Sequence, residues 1–333
     1  MKLEDVAKRA RVSVATVSRV VNSVGPVRNA TRARVLKAIQ ELKYHPDIHA
    51  RTLARGKSRT LGMIVSNLEN PFFLDIFRVL ESDAHSRGYE VLVANTDYQP
   101  RRLVSSVHLM MGRRLAGLAV IVSEMDPSLM QELAESDLPI VFYDVGTPAR
   151  NISNIKVKYE KGIQRVVEYL YSVGHRRMGF VAHHTGLEPL LDRKKSFLDT
   201  MKRYAEEVEF AAVADHDGPL GGQQATRQLL ASGFRPTAII CVNDFMALGV
   251  MKELREHRLE VPRDVSVTGY DNISLSEYAS PPLTTVNIPR ETIGHLAFSS
   301  LVPEHDEAQV YGREYLIDPD LVIRESTGPA PKN

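Results

Sequence analysis

Residues 3–22 read LEDVAKRARVSVATVSRVVN. Their apolar spacing falls into two short helical pieces. Leu3, Val6, Ala7 and Ala10 recur at helical intervals, and Val14, Val17, Val20 and Val21 do so again. Ser13 stands where the second piece begins, as a helix N-cap does. Arg11 to Ser13 leave a connection short enough to turn one helix sharply onto the other. This pattern predicts a helix-turn-helix, a motif that offers its second helix to the DNA major groove. Thr16, Ser18, Arg19 and Asn22 supply polar side chains for phosphates or base edges.

A small helical hairpin without any such role has the same spacing, so the surrounding charge matters. Residues 1–59 hold 14 Lys and Arg against 4 Asp and Glu, a charge of about +10. The rest of the chain holds 28 basic and 37 acidic residues, about −9. The overall charge of +1 therefore conceals a basic head on an acidic body. That is the electrostatic footprint of a nucleic-acid binder.

Thr31 to Lys43 places Val35, Leu36, Ile39 and Leu42 on one face and predicts a third amphipathic helix that closes a small core. Gly25 and Pro26 mark the loop before it. In the following YHPDIHARTLARGKSRT, Pro46 can start a short helix and Ile48 to Arg55 can continue it. So short a helix is marginal alone and is expected to order only on a partner.

After Thr60 the pattern changes. LGMIV, EVLVAN, GLAVIV, PIVFYD, MGFVA, AAVAD, AIICV and VSVTGYD are short apolar runs, with helix-like stretches such as Phe73 to Arg87 and Arg101 to Arg114 between them. Such alternation predicts parallel, doubly wound α/β sheets, and eight units exceed one sheet of usual size. Two α/β subdomains are expected, with ligands bound beyond the carboxyl ends of the strands.

Composition narrows the function classes. Hydrophobic residues make up 43% and charged residues 25%, ordinary for a soluble globular protein. The single cysteine, Cys241, lies in AIICV and reads as core; one cysteine allows no internal disulfide and suggests a reducing, cytoplasmic setting. No signal peptide and no apolar run of about 18 residues is present, so no membrane association is expected. GxSxG, P-loop and dinucleotide fingerprints are missing. His183 and His184 point to opposite faces of a strand and make a poor metal pair, with His175 nearby. No enzyme activity, cofactor or metal is expected.

These residues resemble the lactose/galactose-repressor family of bacterial transcription regulators. The segments that carry the resemblance are LEDVAKRARVSVATVSRVVN, TRARVLKAIQELKYHPDIHARTL, SRTLGMIVSNLENPFF, HRRMGFVA, PTAIICVNDFMALGV, VPRDVSVTGYDNI, PPLTTVNIP and LVIREST, in matching order. The resemblance implies a three-helix headpiece over 1–45, a hinge helix and linker over 46–59, and a periplasmic-binding-protein-like body over 60–333. The body's N-subdomain should take 60–157 and 288–316, and its C-subdomain 158–287 and 317–330. Crossings are expected near Val157, Ile288 and Ile317. The implied function is a repressor that binds a pseudopalindromic double-stranded operator as a homodimer. A small polar effector, a sugar or sugar derivative, should sit in the cleft and control it. The chain ends at GPAPKN without a leucine heptad, so a dimer is expected over a tetramer.

By the same resemblance Val14, Ala15 and Arg19 face base edges, and Ser13, Thr16 and Asn22 hold phosphates. Leu53 takes the place of a minor-groove wedge, with Ala50 beside it; an apolar wedge can unstack and kink a flexible base step. The effector residues carried over are Asn70, Phe72, Phe73, Ser123, Arg193, Asn243 and Asp271. An Arg fork, a carboxylate and an aromatic wall suit a polyhydroxylated ligand. Phe72 and Phe73 equally suit plain core, and Asp271 a helix cap. Asp244 reads as the N-cap of FMALGVMKELRE.

Three places depart from the family pattern. Val157 and Lys158 replace an Asp-Asn pair, the loop around Asp217 lacks an aromatic, and Leu187 and Pro189 stand where purine-responsive members are polar. Lys158 would favour a phosphorylated or carboxylated ligand, or be a solvated surface lysine. A transport-type binding protein, and a regulator answering to a protein partner or to no small molecule, are the alternatives.

Overall fold

In the first 44 residues, short apolar stripes give three helices wrapped on one core. A computed structural model describes residues 2–22, 25–44, 58–125, 127–183, 188–204, 206–303 and 312–332. The chain divides into two units, Met1–Arg59 and Thr60–Asn333. In the first, α1 (Leu3–Ala10), α2 (Val14–Asn22) and α3 (Asn29–Glu41) bury Val6, Ala7, Ala10, Val17, Val20, Val35, Ala38 and Tyr44. Arg11 ends α1 in the left-handed conformation, φ 53. Its N–H and that of Val12 reach back to Ala7 and Lys8 carbonyls, satisfying the helix end. Ser13 then caps α2, its Oγ accepting from Thr16 N at 3.2 Å.

The third helix starts two residues earlier than its periodicity suggested, and Leu36 is not in the core. It is 52% exposed. Val35 and Ala38 hold the buried stripe, with Ile39 and Leu42 at its edge. Leu36, one residue on from Val35, is rotated about 100° away on a helix of 3.6 residues per turn.

The second unit contains two six-stranded sheets. The first lobe holds β1 (Thr60–Val65), β2 (Glu90–Asn95), β3 (Gly117–Ile121), β4 (Ile140–Tyr143), β5 (Ile152–Val157) and β11 (Glu314–Ile317). Their order is β11-β5-β4-β3-β1-β2, all parallel. Helices α4 (Pro71–Ser86), α5 (Pro100–Met111) and α6 (Pro127–Ala134) connect them.

The second lobe holds β6 (Arg177–His183), β7 (Glu209–Asp215), β8 (Ala238–Cys241), β9 (Ser266–Asp271), β10 (Thr284–Asn287) and β12 (Asp320–Val322). Their order is β12-β10-β9-β8-β6-β7, and only β12 runs antiparallel. Its helices are α7 (Tyr159–Ser172), α8 (Glu188–Lys202), α9 (Pro219–Ala231), α10 (Asp244–Glu256) and α11 (Ser274–Tyr278). The chain passes between the sheets after Val157, Asn287 and Ile317. Helix α12 (Arg290–Leu301) packs on α4 of the first lobe.

All eight apolar runs form strands. The unread strands β5, β10, β11 and β12 are short or carry polar residues such as Ser153, Asn154, Thr284 and Thr285. In both sheets the strand order reverses between the first and third strands of the lobe, β1/β3 and β6/β8. That reversal opens a crevice at the carboxyl ends, where such sheets hold ligands. Among the described residues no helix is long and apolar enough to cross a membrane.

Candidate nucleic-acid interface and effector cleft

On α2, burial of Val17 and Val20 fixes which side faces out. Ser13, Val14, Ala15 and Arg19 are exposed, and Thr16 is half-buried with its Oγ1 2.9 Å from Ser13 Oγ. An apolar Val14, 41% exposed, beside Ala15 and an exposed arginine suits base edges, where methyl and guanine contacts are made. Behind this face Arg9 of α1 pairs with Glu41 of α3 at 2.5 Å, using one of the few acidic residues to hold the helices together. The Asn22 side chain, Ala50 and Leu53 lie outside the described residues.

In the body's second lobe, Arg193 of α8 meets Asp271 at the end of β9. The guanidinium lies 3.2 Å from Asp271 Oδ1 and donates to Val242 O at 2.7 Å. Tyr159 and Tyr270 cover it, with ring centroids at 4.5 and 4.6 Å, a cation–π arrangement. Tyr270 fits because Gly162 leaves space; a Cβ there would lie 2.4 Å from the phenol oxygen. Arg193 Nε and Tyr270 OH have no hydrogen-bond partner among the described residues. Burial pushes the Asp271 carboxyl up to about 7, while Arg193 pulls it back down.

Facing this group, Asp144 takes Val157 N at 2.7 Å and the Tyr159 hydroxyl. Tyr143 reaches Tyr159 at 3.2 Å. Burial raises Asp144 to about 6 against these stabilising hydrogen bonds. Phe72 and Phe73 are buried core residues in edge contact at 5.3 Å, and Phe72 lies 5.7 Å from Tyr143. Ser123 donates its backbone N–H to Ser66 Oγ at 2.8 Å. Ser66 and Thr96 in turn donate to Glu124, whose carboxyl burial pushes upward.

Asn70 and Asn243 are the N-caps of α4 and α10, accepting from Phe72 N at 3.1 Å and Met246 N at 2.8 Å. Asp244 is therefore not the cap of α10. It is the first helical residue, fully buried, accepting from Ile273 N, Ser276 Oγ and Thr285 Oγ1. Asp271 is not a helix cap either, since Ile273 occupies that position of α11. Its backbone sits at φ 104 and that of Asn272 at φ 53. Asp97, Tyr98 and Asp144, also beyond strand ends, have φ of 55, 54 and 56. Left-handed backbone at non-glycine residues costs of order 1–3 kcal/mol each and gathers at binding sites.

Lys158 does not turn into the cleft. It pairs with Asp318 at 3.1 Å, beside Lys161 at 3.0 Å on the same carboxylate. His175 is buried, with ring nitrogens 3.0 Å from Thr237 Oγ1 and 3.1 Å from Gly328 O, a structural bridge. Cys241 is a free, fully buried thiol. Among the described residues no group of three or more His, Cys, Asp or Glu is placed to hold a metal.

Asp217 is the residue that sequence reasoning undervalued. Its Oδ2 receives Tyr98 OH at 2.8 Å, Asn67 Nδ2 at 3.2 Å and Asn70 Nδ2 at 3.5 Å, while Oδ1 receives Asn243 Nδ2 at 2.8 Å. Burial and the Asp217 charge push the Tyr98 phenol well up, which keeps it a donor. The signal was position: Tyr98 follows β2 of the first lobe and Asp217 follows β7 of the second.

A headpiece of this form together with a two-lobed binding-protein-like body defines a DNA-binding regulator. Residues 2–47 match the model of bacterial regulatory proteins, lacI family, and residues 167–327 that of a periplasmic binding protein-like domain. A transcriptional repressor, PurR, of Photobacterium profundum is 33% identical over 326 residues, covering 97% of this chain and 98% of that one. The transcriptional repressor CytR of Escherichia coli (strain K12) is 32% identical over 330 residues, covering 99% and 97%. The Lac repressor dimer bound to operator and the anti-inducer ONPF superimposes with TM-score 0.83 at 29% identity, covering 98% and 99%. The chain belongs to the lacI family of bacterial transcription regulators. Its fold is that of the Lac repressor, and it is a DNA-binding transcriptional regulator, as its relatives are, rather than an enzyme.

Proposed function

We propose that this regulator represses transcription by binding a pseudopalindromic operator as a homodimer, under control of a small polar effector in the cleft between the lobes. The observation that carries the DNA half of this reading is the exposed Val14, Ala15 and Arg19 face on a helix whose other side is locked by Val17 and Val20. One such helix covers a half-site, and two-fold protein symmetry calls for two-fold DNA symmetry. The Lac repressor dimer on its operator supports this reading. The roles of Ser13, Thr16 and Asn22 at phosphates, and of Leu53 with Ala50 in the minor groove, belong to the same reading.

The effector half rests on the Arg193–Asp271 pair, with Arg193 Nε and Tyr270 OH unpartnered beside it among the described residues. Such groups suit a ligand rich in hydroxyl or carbonyl oxygens. The structural neighbours include a CelR–cellobiose complex, which supports a carbohydrate; the PurR and CytR relatives do not add to that support. With Lys158 held by Asp318, that lysine gives no support to a phosphorylated ligand. A thermal-shift screen of the full chain against sugars, nucleosides and nucleobases tests this. A stabilising compound whose effect is lost in Arg193→Lys fits the proposal; an effect unchanged in that variant contradicts the assigned site.

A further inference from the structure

We propose that Asp217 is a built-in latch that holds the two lobes together across the cleft without any small molecule. The inference rests on reading this cleft as the regulatory site. Three donors of the first lobe, Tyr98 OH, Asn67 Nδ2 and Asn70 Nδ2, converge on one oxygen of Asp217. The other oxygen takes Asn243 Nδ2 from Asp217's own lobe. A carboxylate only accepts, and amide nitrogens and a phenol can all donate, so every contact has the right polarity. Asn70 and Asn243 are also the caps of α4 and α10, so both walls present these amides on fixed helix ends. The latch thus ties two helix N-termini to one negative charge, which their dipoles favour.

The loop that carries Asp217 is held in place. Gly218 sits at φ +95, a conformation side chains resist, and Pro219 opens α9. A Cβ at Gly249 of α10 would meet Pro219 O at 1.8 Å, so α9 presses directly on the helix that Asn243 caps. A second contact crosses nearby, where the Tyr98 ring lies 4.8 Å from that of His183. The donors that Asp217 occupies are those a hydroxylated ligand would otherwise use. An entering ligand therefore competes with a side chain of the protein.

Hydrogen–deuterium exchange of the full chain, without DNA or added ligand, tests the latch in wild type, Asp217→Ala and Tyr98→Phe. Asp217→Ala should speed exchange in 66–73 and 96–99, on the opposite lobe, by about tenfold, equivalent to about 1.4 kcal/mol of closure. Tyr98→Phe should speed exchange in 215–219 while β1 and β8 exchange as in wild type. Faster exchange confined to 215–221 in Asp217→Ala, with the first lobe unchanged, would overturn the latch. If that variant does not fold, Tyr98→Phe decides alone, and an unchanged 215–219 segment overturns the proposal. Neither outcome involves operator or effector binding, so a failed latch leaves the regulatory reading to its own tests.

Discussion

Arg193 of α8 and Asp271 at the end of β9 meet at 3.2 Å, with their side chains only 6% and 4% exposed. A buried pair of this kind is strongly destabilised when one partner is removed, because the other charge is left without compensation. The proposed effector role is thus not all that depends on Asp271. The residue also neutralises a buried guanidinium, and its carbonyl takes Arg290.

Asp271→Ala should consequently lower stability by about 3–5 kcal/mol in addition to abolishing the effector response. Chemical denaturation of the effector-free chain checks this. An unchanged denaturation midpoint would show that Arg193 finds another partner.

Asp144 gives a pH-dependent prediction. Its carboxyl rises from 3.8 to about 6 on folding, chiefly through burial. The folded state therefore holds a proton that the unfolded state has released between these values. Stability from this group is full below about pH 4 and is lost as pH rises through about 6. Asp144→Asn keeps an acceptor for Val157 N and an amide for Tyr159. It should stabilise the chain at pH 8, by at most about 3 kcal/mol, and change little at pH 4. Equal effects at both pH values would mean that ionisation of Asp144 is not the cause.

Arg19 stands exposed on the open face of α2. Arg19→Ala should cost about 1–3 kcal/mol of specific DNA binding and relax preference at one base position. A uniform loss across all sequences would identify a phosphate contact instead.

The headpiece was legible because each of its signals is local. Apolar spacing, the Ser13 cap and clustered basic charge all lie within a few residues of one another, although Leu36 and Val14, counted in the apolar stripes by spacing, are exposed. Six of the eight apolar runs became strands buried along their length, where a parallel sheet covered on both faces demands continuous hydrophobicity, while the runs of β2 and β7 lie at sheet edges and are partly exposed. β5 escaped because its Ser153 and Asn154 are buried through hydrogen bonds that no periodicity reveals, Ser153 Oγ accepting from Arg313 N and Asn154 Nδ2 donating to Gly146 O. The cleft was legible only in part. Arg193, Asn243 and Asp271 came from resemblance, but Tyr98, Asp144 and Tyr159 are distant in sequence and meet their partners only in the fold. Asp217 was recognised as a departure, and its role depends on donors 119 to 150 residues away.

On the proposed function, the basic headpiece reads a two-fold operator. The most direct test is selection of bound duplexes from a random pool, followed by titration of the enriched sequence over about 50 to 200 mM salt. A pseudopalindrome with two half-sites should be enriched. Affinity should fall with salt at a log–log slope of about −0.9 per phosphate, for roughly 6 to 10 phosphates per dimer. A single unpaired half-site bound by a stable monomer, or a slope near zero, would contradict that reading.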